Sequence, residues 1–353
     1  MKNRRICVIG ICICIMAGML AGCGRNEYSE SPATEEIAKV NSERAREETE
    51  AENAERIKRA EEIAKAKAEA QQTKSDSELV MNGEIGEVSV ASSKRPGVSI
   101  PTFITFPIDY NASETYPMVI MFAGFSADHD NGTRFNPIAE ALAEEGIMVV
   151  MYDNPGYGLS EETNLAYTLT NVKNDAVDVI MYMYGNYNIG KVGALGYDVG
   201  GRVIMELQVD GMCNFDQIEL IAPFCETEEF IHSCFDKVTW ENLKNKAKDN
   251  GSVQYVDQEY SYEWFTDWEA KKDTLTKDFI KNYKGRRCML MYAIQDENVS
   301  YYTMVDLLKG LGCAAIVSDE DGHDMGVRGF ESSDSTKRVV KQQSVDFMEG
   351  LKD

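Results

Sequence analysis

The stretch that most constrains this chain is Ala194-Leu-Gly-Tyr-Asp-Val-Gly-Gly-Arg-Val203, a short apolar run passing through glycines into a helix-forming segment. Gly196, Asp198 and Gly200 alternate across the junction. This spacing suits a strand-to-helix turn too tight to tolerate side chains beside the central residue, which is itself thrust up at the helix N-terminus. A chain built on such turns lays strands and helices down in alternation, and so predicts a mostly parallel sheet covered on both faces.

The residues after a polar stretch (Gln71 to Glu78) follow that rhythm. Short apolar runs predict strands at Glu87 to Ala91, Ser99 to Phe106, Met118 to Phe122, Ile147 to Tyr152, Lys191 to Leu195, Gln217 to Ile221, Cys288 to Tyr292 and Ala314 to Val317. Helical patterning falls at Asn136 to Glu144, Val172 to Tyr184, Gly201 to Gln208, Tyr301 to Leu311 and Lys337 to Leu351. The first two strands precede any helix and are expected to form an antiparallel edge. The fold class expected is therefore α/β, with eight strands in one sheet.

One interval breaks the rhythm. More than sixty residues separate Ile221 from Cys288, far beyond a simple crossover, and they hold all three tryptophans, Trp240, Trp264 and Trp268, with Tyr255, Tyr260, Tyr262 and Phe265. A cap over the carboxyl ends of the strands is expected at about 224–287, where ligands bind in open α/β sheets. Most of these aromatics are expected to build the cap's own small core.

The amino-terminal region is of another kind. Lys2, Arg4 and Arg5 precede an apolar run from Ile6 to Leu20 and small residues before Cys23, the layout of an export signal over residues 1–22. From Ala33 to Ala70 the composition turns to Ala, Glu, Lys and Arg, with opposite charges four apart at Glu52 and Arg56, Glu55 and Arg59, and Glu61 and Lys65. Residues 23–78 thus predict a charged stalk whose helix would span roughly 55 Å. The formal net charge of −23 argues against a nucleic-acid partner. Past Cys23 stand Cys213, Cys225, Cys234, Cys288 and Cys313, without zinc-site spacing, and Cys225 and Cys234 could pair within one segment. No metal site or cofactor loop is visible, so neither is expected.

Several separate pieces resemble one superfamily, the α/β-hydrolases, from about Gly86 to the C-terminus. Gly196-Tyr-Asp-Val-Gly200 resembles their nucleophile elbow, and Val119-Ile-Met-Phe-Ala-Gly-Phe-Ser126 their oxyanion strand and turn, with Ala123 in place of the usual histidine. Tyr152-Asp-Asn-Pro-Gly-Tyr-Gly-Leu-Ser160 matches their D-x-P-G-x-G-x-S loop, Tyr292-Ala-Ile-Gln-Asp296 the strand ending in the triad acid, and Asp321-Gly-His323 the loop that delivers the histidine. Leu20-Ala-Gly-Cys23 resembles a bacterial lipobox, which implies cleavage before Cys23, diacylation of its thiol and an extracytoplasmic, membrane-anchored domain.

The resemblance implies a triad of Asp198, His323 and Asp296, with Glu297, Glu226 and Glu228 as other possible acids, and an oxyanion or substrate-binding set of Gly124, Phe125 and Val199. An aspartate at the elbow is what haloalkane dehalogenases and epoxide hydrolases of the superfamily use, but Val199 and Phe125-Ser126 stand where those enzymes commonly have tryptophan and proline. Two roles for Asp198 are open at this point: a nucleophile toward a small organic substrate, ester, epoxide or haloalkane, or a helix cap in a serine-hydrolase relative that binds rather than turns over.

Overall fold

The computed structural model describes residues 7–8, 85–130, 135–256, 258–271, 274–283, 285, 287–326 and 334–353. The leader apart from Cys7 and Val8, the lipidation candidate Cys23 and the charged stalk lie outside the described residues. No helix among the described residues is long and apolar enough to cross a membrane.

Eight strands form the body of the main sheet: β1 (Ile85–Ala91), β2 (Ser99–Thr105), β3 (Tyr116–Phe122), β4 (Met148–Tyr152), β5 (Ile189–Tyr197), β6 (Gln217–Ile221), β7 (Arg287–Ala293) and β8 (Ala314–Ser318). Their spatial order is β1-β2-β4-β3-β5-β6-β7-β8, and the two-residue strand Cys7–Val8 pairs antiparallel with β8 at the far edge. The β1–β2 and β2–β4 pairs are antiparallel and every later pair is parallel, as the early strands led us to expect. β3 through β6 are almost wholly buried because helices cover both faces, whereas β1 alternates buried and exposed residues as an edge strand does.

Helices α1 (Phe135–Glu144) and α9 (Asp334–Met348) cover one face, packing Phe135, Leu142, Val340 and Met348 on Val119, Val149, Leu195 and Met291. Helices α2 (Leu169–Asn186), α3 (Val199–Val209) and α8 (Tyr301–Leu311) contribute to the other core with Val172, Ile204 and Leu307. β5 runs two residues further at each end than its apolar run suggested. Gly193 lies so close to Leu351 and Met348 that a Cβ there would come within 2.8 Å of the Leu351 side chain, so this glycine serves close packing rather than a break.

The cap inserted between β6 and β7 contains α4 (Thr227–Cys234), α5 (Lys237–Asn250), α6 (Tyr262–Glu269), α7 (Leu275–Asn282) and a hairpin of Ser252–Tyr255 with Gln258–Ser261. The hairpin was not expected from the sequence. As expected, the tryptophans build a core: Trp240, Trp264 and Trp268 are all buried, with Trp264 5.2 Å from Trp240 and 4.6 Å from Tyr260 between ring centres.

Candidate active site

The site grows from the strand-to-helix turn. Asp198 sits between β5 and α3 at φ 57°, ψ −121°, a backbone conformation few non-glycine residues adopt. The glycines around it are required by close approach: a Cβ on Gly200 would lie 2.1 Å from the Phe122 carbonyl oxygen, and one on Gly196 2.6 Å from Ile204. Ser126, Ala222 and Met325 also have positive φ, and each lies at the end of an element or loop that borders Asp198 or His323. Such strain persists where surrounding structure over-determines it, and it commonly gathers at functional sites.

Asp198 is 5% exposed. Its Oδ2 accepts a 2.7 Å hydrogen bond from the Phe125 backbone N–H, in the turn after β3. Gly124 lies beneath that contact, where a Cβ would be 2.8 Å from the same oxygen. The other oxygen, Oδ1, lies 3.4 Å from His323 Nε2, an ion-pair separation that lacks hydrogen-bond geometry. The side chain makes no capping bond to α3, so the capping role is not what this carboxylate does. Nor is the Phe125 amide empty, as an oxyanion donor would be in a serine enzyme at rest.

His323 reaches Asp296 on its other side, with Nδ1 2.8 Å from Oδ2. Asp296 is itself fixed, because its Oδ1 accepts from the backbone N–H groups of Asn298 at 2.8 Å and Val299 at 2.9 Å. The structure thus brings Asp198, His323 and Asp296 together and leaves the other acids elsewhere. Glu226 accepts from the Thr276 N–H, and Glu228 pairs with His232 on the surface of α4. Burial lowers the basicity of His323, but the carboxylates of Asp198 and Asp296 on its two nitrogens outweigh it and push its pKa up to about 10. In neutral solution the ring is an imidazolium held between two carboxylates.

Other residues shape the floor and approaches. Phe224, just past β6, lies 5.5 Å from the His323 ring, and Phe125 packs against Tyr167 at 5.6 Å and against Phe230 of the cap at 5.4 Å. Phe224, Tyr167 and Phe230 were not foreseen; position after a strand end was the only signal available for Phe224. Of the cap aromatics, Trp264 comes 6.0 Å from Phe125, and its Nε1 has no hydrogen-bond partner. Val199, the remaining oxyanion candidate, is buried at the first turn of α3. His129 is structural, its Nδ1 2.7 Å from Asp153 and its ring stacked on Phe103. None of Cys213, Cys225, Cys234, Cys288 and Cys313 is in a disulfide, so Cys225 and Cys234 are not joined. Among the described residues no group of three or more His, Cys, Asp or Glu could hold a metal ion.

The sequence profile of the serine aminopeptidase S33 family matches residues 114–297, a span containing the oxyanion turn, Asp198 and Asp296. The chain belongs to that family. Within this S33 family the fold is the α/β-hydrolase fold, as the sheet order and elbow led us to expect. Solved structures agree at low identity. Est1E from Butyrivibrio proteoclasticus, with ferulic acid bound, is 17% identical with a TM-score of 0.61, over 75% of this chain and 98% of its own. A hydrolase from Agrobacterium vitis S4 is 15% identical at 0.57 over 75% and 98%, and an esterase from Pyrococcus furiosus 13% identical at 0.55 over 76% and 91%. No curated protein matches the chain. The S33 family is named for serine, and this member carries aspartate at the elbow.

Proposed function

We propose that this S33-family chain is a hydrolase that attacks a saturated carbon of a small organic substrate through the Asp198 carboxylate. The observation that carries the reading is the placement of its two oxygens. Oδ2 is held by the Phe125 N–H while Oδ1 makes no hydrogen bond and faces the imidazolium. Acyl transfer from an ester would need that amide for the substrate's own oxygen, and attack by Asp198 would give a mixed anhydride, a poor intermediate. Displacement at carbon avoids both difficulties.

In the first half, Oδ1 forms a bond to carbon while the bond from carbon to halide or epoxide oxygen breaks, its electron pair leaving with that group. An alkyl ester of Asp198 results. Esterification removes one of the two charges that hold the His323 proton, so the ring can pass it to the epoxide's alkoxide, or to solvent when the leaving group is a halide, and then act as a base, as a group with both partners ionised could not. Water then adds to the ester carbonyl as His323 takes its proton, and Asp296 pairs with the imidazolium. The oxyanion forms at Oδ2, already on the Phe125 amide. Collapse breaks the bond from the carbonyl carbon to Oδ1, the His323 imidazolium gives its proton to the departing oxygen, and the alcohol leaves with one solvent oxygen remaining in Asp198.

Single turnover in heavy-oxygen water therefore labels the Asp198 peptide when a haloalkane or epoxide is consumed, and Asp198→Ala and His323→Ala abolish product. Unlabelled peptide under turnover refutes the carboxylate nucleophile. A non-hydrolytic binding role is favoured instead if esters, epoxides and haloalkanes are all untouched. That role has one observation behind it: the same Oδ2 contact closes the amide to a substrate carbonyl.

We further propose that acyl groups on Cys23 hold the domain at the outer face of the membrane, on the strength of the Leu20-Ala-Gly-Cys23 segment and the basic, apolar leader before it. Cys23→Ala releases the protein from the membrane fraction and abolishes metabolic labelling by palmitate; an unchanged distribution refutes the anchor.

A further inference from the structure

Far from Asp198, at the opposite ends of the last two parallel strands, a cavity of about 410 Å³ is lined by Cys288 and Cys313 with Tyr283, Arg287, Gly310 and Gly312. Cys288 lies in β7, and Cys313 immediately precedes β8. The register pairs Met289 with Ala314, so one step earlier Cys288 stands opposite Cys313. Opposed residues of neighbouring strands point to the same face, and strands lie about 4.8 Å apart, inside the span a disulfide bridges. Both thiols belong to one core: Cys288 is buried in it, and Cys313 packs against it while remaining partly exposed.

We propose that Cys288 and Cys313 are a dithiol site, at which a small anionic disulfide entering this cavity oxidises the pair to an intrachain disulfide. The division of labour follows from exposure. Cys313 is partly exposed at the cavity and Cys288 is buried behind it, and the contact between the two sulfurs lowers the pKa of Cys313 and raises that of Cys288. Cys313 is thus the attacking thiolate and Cys288 the resolving thiol. The Cys313 sulfur bonds to one sulfur of the incoming disulfide, whose S–S bond breaks and whose other half leaves as a thiolate. Cys288 then attacks the Cys313 sulfur, the mixed disulfide breaks, the second half leaves as a thiolate and the Cys288 proton passes to it. Two thiols are oxidised and one external disulfide is reduced to two thiols.

Arg287, beside the cavity and with its guanidinium 5.0 Å from the Phe347 ring, supplies the positive charge that favours an anionic partner such as a peptide disulfide. The bond formed would close residues 288–313 into a loop containing Asp296. The proposal is independent of the reaction at Asp198.

The test uses the full chain, reduced and then exposed to oxidised glutathione, followed by alkylation and non-reducing peptide mapping. The expected map shows Cys288 joined to Cys313, with no glutathione retained on either and Cys225 alkylated only after unfolding. Cys288→Ala leaves a persistent glutathione adduct on Cys313, whereas Cys313→Ala leaves Cys288 unmodified. The wild-type map alone decides if either variant fails to fold. Glutathione retained on Cys313 of the wild type without linkage, or both thiols still open to alkylation, overturns the proposal.

Discussion

Replacing Asp198 by Asn removes the charge that esterification would remove while keeping the oxygen that accepts from Phe125. His323 stands at about 10 in place of its usual 6.5. At ~1.4 kcal/mol for each tenfold change, that corresponds to roughly 5 kcal/mol of preference for the imidazolium. The two carboxylates lie on opposite ring nitrogens, at 3.4 Å for Asp198 and 2.8 Å for Asp296, and both favour the charged ring. Losing Asp198, which contributes at least as much as Asp296, should remove half or more of the preference, at least about 2.4 kcal/mol, and bring the midpoint down to roughly 8 or below. Nuclear magnetic resonance titration of isotopically labelled imidazole in the wild type and Asp198→Asn reads this directly. A His323 midpoint unmoved by the substitution would refute the idea that Asp198 holds the proton. The proposed switch from resting acid to working base would fall with it.

Three further outcomes follow from packing and charge. Gly124→Ala places a methyl 2.8 Å from Asp198 Oδ2 and 2.9 Å from the buried Tyr197 ring, displacing the carboxylate from the Phe125 amide; kcat on the active substrate should drop by about 10²–10³ while unfolding in urea costs only about 1–3 kcal/mol less. Arg202, fully buried, pairs with Glu206 at 2.8 Å and lies 4.9 Å from the Trp268 ring, so Arg202→Met should cost about 3 kcal/mol by urea titration, the lower end of the range because Lys173 still reaches Glu206 at 3.0 Å. Burial pushes Glu219 up to about 8 from 4.5. The folded chain keeps this proton where the unfolded chain has lost it, so the stability it contributes is complete below pH 4.5 and disappears as pH rises through 8. Glu219→Gln should therefore gain a few kcal/mol over the wild type above pH 8, and equal pH dependence of the two would contradict this.

Much of the frame was legible because it depends on local signals. The apolar runs located all eight principal strands, Gln217–Ile221 to the residue, and Tyr292-Ala-Ile-Gln-Asp296 pointed to the acid that the structure places against His323. What escaped the sequence depends on contacts between distant segments. Alternation of polar and apolar residues reports burial, but says nothing of Phe230 meeting Phe125 from the cap, or of Arg202 lying over Trp268. The same holds for Cys288 and Cys313: their spacing of a strand, loop and helix resembles no pairing motif, and only the register between β7 and β8 sets them face to face.

The role of Asp198 was open for a related reason, since a helix begins beside it and aspartate is a favoured capping residue. Capping residues adopt extended backbone and turn the side-chain oxygen back to the first amides of the helix. Asp198 does neither: its φ is 57° and its carboxylate crosses to Phe125 and His323. Holding a non-glycine residue there costs roughly 1–3 kcal/mol, which a cap would not require. The turn therefore holds Asp198 as no helix cap is held, and the charge it brings beside His323 is what the proposed attack on carbon and the proposed control of the His323 proton both require.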